Sequence, residues 1–250
     1  IAREYNLDIK NPSKKLEDFS TSIKDYSITA VNSIGEINSN LTSLLKRSDW
    51  KALNELNEDE LNLISIGDVL QPHEEVETLI PSEAYGLLGV SLAGRGPFLR
   101  ETKMGQEIGA RQLNKVAQGN FIYSRLFAWK GAFGIIPEEL DGCYVSNEFP
   151  VYNVDETVVL AEYLSLYFSR PYVWGEVEKY CKGTTKASRN RFKEKYLLAM
   201  DIRVPSIETQ KKILELNKES KSQIALIQNL LTDLEGISLN VLANIYKGEL

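Results

Sequence analysis

The sequence predicts an α+β fold, a compact mixed domain set between two long helices. Three observations carry this. Apolar residues near both ends recur at alternating steps of three and four. Between them lie short β-like runs broken by Gly and Pro. Within that β-rich region, residues 157–168 (TVVLAEYLSLYF) keep a helical spacing.

Residues 1–11 read as an extended tail. Ser13 is an N-cap candidate, with Pro12 before it. Leu16, Phe19, Ile23, Tyr26, Ala30, Ile34, Ile37, Leu41 and Leu44 then form a near-heptad seam with one shift in the middle. Such a stripe marks a helix that packs along another helix. This first helix is expected to end near Lys46–Asp49.

The central strand candidates are Ile64–Leu70, Tyr85–Leu92, Asn120–Trp129, Phe133–Ile136, Gly142–Val145, Phe149–Val154 and Leu197–Val204. In residues 157–168 the buried face is Val158, Leu160, Ala161, Leu164 and Phe168. Glu176–Cys181 reads as a further helical turn or two. Ser206 opens the second long helix after Pro205, with Glu208 and Thr209 in its first turn. Its seam is Ile213, Leu216, Ser220, Ile224, Ile227, Leu231, Leu234, Ser238, Val241 and Ile245. Gly236 inside it weakens the helix by about 1 kcal/mol relative to Ala. Wholly helical, residues 206–247 span about 60 Å.

Neither seam can be buried by its own helix. The economical solution is pairing, antiparallel within one chain or with helices of a second copy; two ordinary core helices are the alternative. The expected domains are 1–48 (tail and first helix), 49–205 (mixed domain) and 206–250 (second helix).

The composition bounds the function. The 250 residues are 43% apolar and 26% charged, ordinary for a globular chain with a core. No apolar run approaches the roughly 18 residues that cross a bilayer, and no secretory signal opens the chain. The first residue is Ile, so a fragment or a processed chain is expected. Cys143 and Cys181 are isolated and there is one His. That excludes a structural zinc site, which needs about four N/S ligands. It also excludes a disulfide framework, so a reducing cytoplasm is the expected compartment. The net charge of −6 is unevenly spread. Asp49 to Glu83 holds ten acidic residues and one basic, whereas Lys182 to Lys195 holds six basic and one acidic.

No catalytic pattern emerges. There is no phosphate loop ending in GK[ST], no GxSxG and no HExxH. Gly94-Arg95-Gly96 reads as a turn and His73 as a surface residue. Glu138, Glu139 and Asp141 have no basic partner, with Asp141-Gly142 a hairpin turn. Glu176, Glu178 and Lys179 match a nuclease set only loosely, with no upstream Asp in a fitting strand.

Binding features are stronger. Lys182, Lys186, Arg189 and Arg191 share a loop with Gly183, Thr184, Thr185, Ser188 and Asn190. Lys and Arg neutralise phosphates, and small hydroxyls approach them closely. Arg and Asn also carry the forks that match guanine and adenine edges in the major groove. A solvated loop has the same composition. A second polar patch, read as a loop over residues 103–115, carries Lys103, Gln106, Arg111, Gln112, Asn114 and Lys115. Arg125 is read as a structural arginine paired to Glu148, with a nucleic-acid contact as the alternative.

Residues 120–150 (NFIYSRLFAWKGAFGIIPEELDGCYVSNEFP) resemble the target-recognition domain of type I restriction–modification specificity subunits. The YSR start, the KGAFG turn and the DG…SNEFP turn and strand follow in that family's order. The GTT-containing loop before LLAMDIRVPSIETQKKI resembles the family's passage from a strand through Pro into a spacer helix. Ile64–Leu70 and the terminal YKGEL also fit, so the resemblance covers about residues 62–250. Residues 1–48 resemble instead the C-terminal end of an N6-adenine DNA methyltransferase, whose last helix packs on the specificity helices.

The resemblance implies a non-catalytic module that reads double-stranded DNA for a methyltransferase, either fused or a separate subunit, with a restriction subunit as a further partner. S-adenosylmethionine belongs to the methyltransferase, because no cofactor motif stands in these residues. Lys182, Lys186, Arg189 and Arg191 are the expected phosphate contacts. Arg111, Gln112, Asn114 and Asn190 are the expected base readers, with Lys103, Gln106, Lys115, Thr184, Thr185 and Ser188 beside them. Family members carry two recognition domains, whereas one is found here. A homodimer through the long helices would then read a split palindrome. The rival readings are an enzyme acting on DNA itself and a helical scaffold with a protein-binding head.

Overall fold

A computed structural model describes Ile28, residues 31–39, Thr42, residues 61–181 and residues 191–246. The chain divides into two units, Leu56–Leu214 and the remainder, Ile1–Glu55 with Glu215–Leu250.

Among the described residues the Leu56–Leu214 unit holds three sheets. Strands β1 (Asn62–Ser65) and β11 (Asp201–Val204) form an antiparallel pair, so the two ends of this unit close on each other. A four-stranded sheet has the order β2 (Leu70–Pro72), β10 (Val151–Val154), β7 (Phe121–Tyr123), β8 (Phe133–Ile135). A five-stranded sheet has the order β3 (Val76–Thr78), β6 (Gln112–Lys115), β9 (Tyr144–Val145), β4 (Ala84–Ser91), β5 (Gly96–Met104). Only the β4–β9 pairing is parallel among these strands. Five α-helices among the described residues accompany them: α1 (Ile66–Val69), α2 (Ala161–Phe168), α3 (Pro171–Tyr180), α4 (Glu194–Leu198) and α5 (Ile207–Tyr246), the last extending beyond this unit.

Strand alternation divides the core. Phe121 and Tyr123 of β7 enter one apolar cluster, with Phe133, Phe168 and Phe192, while Ile122 between them enters a second, with Leu88, Ile136 and Val145. This is the period of two expected of a strand buried on both faces. Phe133 stacks on Phe168 with ring centroids 4.5 Å apart and on Tyr123 at 5.6 Å. Such pairs add to the burial of their area. A third cluster joins Tyr85, Leu87 and Leu113.

The KGAFG turn has a steric reason. Gly131 has φ +76, and a Cβ there would lie 2.4 Å from the Trp174 ring. A Cβ on Gly134 would lie 2.6 Å from the Pro97 ring and 2.7 Å from Gly96 Cα. The first glycine ends a 3₁₀ turn in the left-handed region, and the second admits the β4–β5 hairpin against β8.

The strand at Tyr85–Leu92 and the short strands at Phe133–Ile136, Gly142–Val145 and Phe149–Val154 appear within a few residues of their expected places, and two helices follow residue 157. The first starts only at Ala161, so that Val158, expected on its buried face, is exposed and Val159 is buried instead. The second starts earlier than expected, at Pro171. Three expected strands are interrupted. Ile64–Leu70 contains a helical turn at Ile66–Val69. Asn120–Trp129 stops at Tyr123, where a turn closed by the Phe127 N–H on the Ser124 carbonyl at 3.2 Å leaves the strand. Leu197–Val204 begins as the end of α4. The expected loop at 103–115 is instead the end of β5, a 3₁₀ turn at Gly105–Glu107, and β6. His73, expected at the surface, has a side chain only 16% exposed, 3.9 Å from Glu75.

Ser206 Oγ accepts the Thr209 N–H at 3.3 Å and so caps α5, as expected. Four residues on, the side chain of Gln210 is fully buried. Its Nε2 donates to the carbonyls of Pro205 at 2.9 Å and Val158 at 3.1 Å, and its Oε1 accepts the Leu160 N–H at 2.9 Å. The start of α5 is thereby fastened to the start of α2, and an orphan donor at a helix N-terminus is satisfied.

In the second unit the backbone is helical over residues 31–39 and along α5, which passes Gly236 without a break. The seams are buried only in part. Ile37 and Leu216 are buried, whereas Ile34 is 53% and Ile224 54% exposed. The expected tail, the Ser13 cap and the end of the first helix lie outside the described residues.

Replacing Gln210 by Leu removes three hydrogen bonds at once and leaves the buried Pro205 carbonyl and two partly buried backbone groups unpaired. The expected loss is about 2–4 kcal/mol of stability, read by urea unfolding.

Candidate nucleic-acid interface

Strand β6 presents Gln112 and Asn114 while Leu113 between them is buried. Gln112 and Asn114 line a groove of about 180 Å³ with Val76, Ser146 and Asn147. Gln112 Nε2 donates to Thr78 Oγ1 at 3.1 Å, which leaves its carbonyl oxygen for other use. Asn147 lies in the turn between β9 and β10 and is exposed. The amides of this groove can each donate and accept, the pattern that matches a base edge.

Lys103, Gln106, Arg111 and Lys115 do not line it. Lys103 Nζ is 3.1 Å from Glu101, and Lys115 Nζ is 3.6 Å from Glu75. These are exposed pairs worth no more than about 1 kcal/mol each, so both cations can exchange partners. Gln106 and Arg111 are exposed. Lys182, Thr184, Thr185, Lys186, Ser188, Arg189 and Asn190 lie outside the described residues.

The described Arg191 connects the two patches. Its Nη2 lies 2.7 Å from Glu148 Oε1. Glu148 follows Asn147 directly, so the end of the basic segment reaches the turn that walls the amide groove. The carbonyl of Asn147 and the carboxylate of Glu194 both accept from the Arg125 guanidinium. The Phe192 N–H donates to the Arg125 carbonyl at 2.9 Å, and the Tyr123 hydroxyl donates to the Phe192 carbonyl at 3.3 Å. Residues 191–194 are therefore pinned to the core strand β7 and to the groove wall at once.

Arg125 is structural, as expected, but its carboxylate partner is Glu194. Glu148 goes to Arg191 because the chain leaves the strand after Tyr123 and turns Arg125 towards α4. Burial acts to lower the Arg125 pKa, yet the bond to Glu194 and that carboxylate's charge raise it on balance. Burial acts to raise Glu194, but the Arg125 bond, a backbone hydrogen bond and the charges of Arg125 and Lys193 together outweigh it, so the carboxyl sits below its ordinary value. Burial, then the Glu194 charge, push Tyr152 up to about 12.

Sequence reasoning missed Ser146, Asn147 and Glu194 as parts of this surface. Asn147 was legible as a turn residue of SNEFP, but nothing local marks which side chain of a turn faces a groove. A larger cleft of about 420 Å³ lies elsewhere in the same unit, where Arg170 stacks between Tyr167 at 4.3 Å and Tyr172 at 4.9 Å. Among the described residues no group of three or more His, Cys, Asp or Glu is placed to hold a metal ion. No described helix is long and apolar enough to cross a membrane.

No protein family and no characterised protein matches the sequence. Solved structures do. The chain is similar to the HsdS subunit from Thermoanaerobacter tengcongensis, at 15% identity and a TM-score of 0.57, over 73% of this chain and 47% of that one. It is similar also to a chain from a study of complex assembly and conformational transition of the type I restriction–modification system, at 16% identity and a TM-score of 0.55, over 74% and 49% of the two chains. The fold is therefore S-subunit-like, and the chain spans about half the length of these neighbours.

Glu194 has a depressed pKa in the folded state, so its contribution to stability is full above the unfolded value of about 4.5 and is lost as pH falls through the folded value. Arg125→Met removes the cause. Denaturant unfolding from pH 7 to pH 3 is expected to show the stability gap between wild type and variant closing below about pH 4.5.

Proposed function

We propose that this chain is the non-catalytic part of a restriction–modification enzyme that recognises a specific sequence in double-stranded DNA. The observation that carries the reading is the S-subunit-like fold, in which an amide-lined groove adjoins the end of the basic segment. Affinity in such an interface comes largely from cations on phosphates, and sequence choice from side chains on base edges.

In this reading Lys182, Lys186, Arg189 and Arg191 follow the phosphates, helped by Lys103, Lys115 and the hydroxyls of Thr184, Thr185 and Ser188. Gln112, Asn114, Arg111 and Asn190 read bases, and Gln106 lies beside them. The chemistry belongs to an N6-adenine methyltransferase, fused or separate, which supplies the S-adenosylmethionine site. A restriction subunit is the further partner. The exposed seam residues Ile34 and Ile224 favour a second helical surface, which a second copy of this chain supplies. Two heads about a two-fold axis would then read a palindrome split by a fixed gap.

Selection from a random duplex pool is expected to enrich one short motif, and a flat result at low salt overturns the reading. Arg189→Ala with Arg191→Ala is expected to weaken binding to the selected duplex and to flatten its log–log salt slope by between about one and two. Light scattering is expected to give a dimer mass, and a monomer at high concentration removes the two-fold arrangement while leaving the single head intact.

A further inference from the structure

We propose that Glu148 is a specificity-determining counter-charge, masking Arg191 from arbitrary DNA and yielding it to a phosphate only in the sequence-matched complex. The proposal rests on the DNA-recognition reading above.

The pair is built to exchange. Arg191 Nη2 and Glu148 Oε1 are 2.7 Å apart, with the arginine side chain 52% and the glutamate 30% exposed. An ion pair so placed is worth about 1 kcal/mol or less, far from a lock. Glu148 is nonetheless held in place. Its carbonyl accepts the Arg125 N–H at 3.1 Å, so the backbone fixes it on the groove wall. Its second carboxylate oxygen, Oε2, is buried and has no hydrogen-bond partner among the described residues. The neighbouring guanidinium of Arg125 is already taken by Glu194 and by the Asn147 carbonyl. Among the described residues Arg191 is thus the cation that Glu148 holds, and the four side chains together carry no net charge.

This neutrality acts differently on two kinds of DNA. Binding to arbitrary sequence consists almost wholly of phosphate contacts. A phosphate brought to Arg191 meets the fixed negative charge of Glu148, and like charges across an interface are costly. In that mode the pair stays closed and Arg191 contributes little. In the matched complex the amides of the adjacent groove engage base edges and bring a phosphate into register, and the pair opens. Specificity is a difference of affinities, and a carboxylate that penalises the unmatched mode enlarges it.

The test compares the selected duplex with a scrambled one across a salt series. Glu148→Gln is expected to tighten binding to scrambled duplex several-fold and to steepen its salt slope by about 0.9, the share of one phosphate contact. The slope on the selected duplex is expected to stay put, so the specificity ratio falls. Arg191→Gln is expected to do the reverse, flattening the slope on the selected duplex and sparing that on scrambled duplex. It leaves Glu148 in place and so serves if the first variant is unstable. The double variant should bind scrambled duplex no better than wild type. A scrambled-duplex slope unmoved in Glu148→Gln overturns the proposal, as does an effect that survives in the double variant. If wild-type protein binds no duplex, the DNA reading fails as well, which is a separate and recognisable outcome.

Discussion

Strand β7 has no face towards solvent, and that constraint organises the head. Three consecutive residues, Phe121, Ile122 and Tyr123, are fully buried and alternate between two apolar clusters. A strand between two cores cannot slip by one residue, because a slip would put an aliphatic side chain where two aromatic rings pack and aromatic rings where Ile122 packs. Its register is thereby fixed, and so are the residues that leave its end. Ser124 and Arg125 are the first of these. Arg125 bonds to the turn that walls the groove and to α4, which follows the basic segment. The packing of aromatic rings is thus converted into the position of a surface several residues away.

The sequence was legible where a repeated pattern meets a steric need. Tyr85–Leu92 is a short apolar run, and β4 forms there with Leu87 to Val90 buried in succession, while Ala161–Phe168 keeps its helical stripe. KGAFG is explained by contacts a Cβ cannot make, with Trp174 and with Pro97. It was illegible where a strand lacks an apolar stripe. Strand β5 exposes Phe98, Leu99 and Arg100 in succession and β6 buries only Leu113 of its four residues, so the alternation that marks a half-buried strand is weak in both. Their pairing is set by neighbours far along the chain, which no local window contains.

The candidate surface divides in the same way. Residue type pointed to Gln112 and Asn114, and the groove contains both. Residue type alone also pointed to Lys103 and Gln106, which instead lie by the turn at Ile80–Glu83, where Gly105 and Gln106 donate to the carbonyls of Glu83 and Pro81. The partners of Arg125 and Arg191 were not legible, because two arginines and two glutamates have more than one pairing. Only the turn after Tyr123 decides between them. Gln210 was passed over for a related reason. A polar residue in the first turns of a helix ordinarily faces water, and its burial follows from α2 arriving more than forty residues earlier in the chain.

The alternation along β6 has a consequence for how such a surface changes over time. Leu113 packs with Tyr85 and Leu87, while its flanking residues Gln112 and Asn114 stand outside that cluster. Exchange of exposed Gln112 or half-buried Asn114 leaves the apolar cluster around Leu113 in place. Drift at these two codons is therefore nearly silent for folding, although each new side chain offers a different set of donors and acceptors to whatever enters the groove. A scaffold of this kind keeps its shape while the chemistry that lines its groove changes.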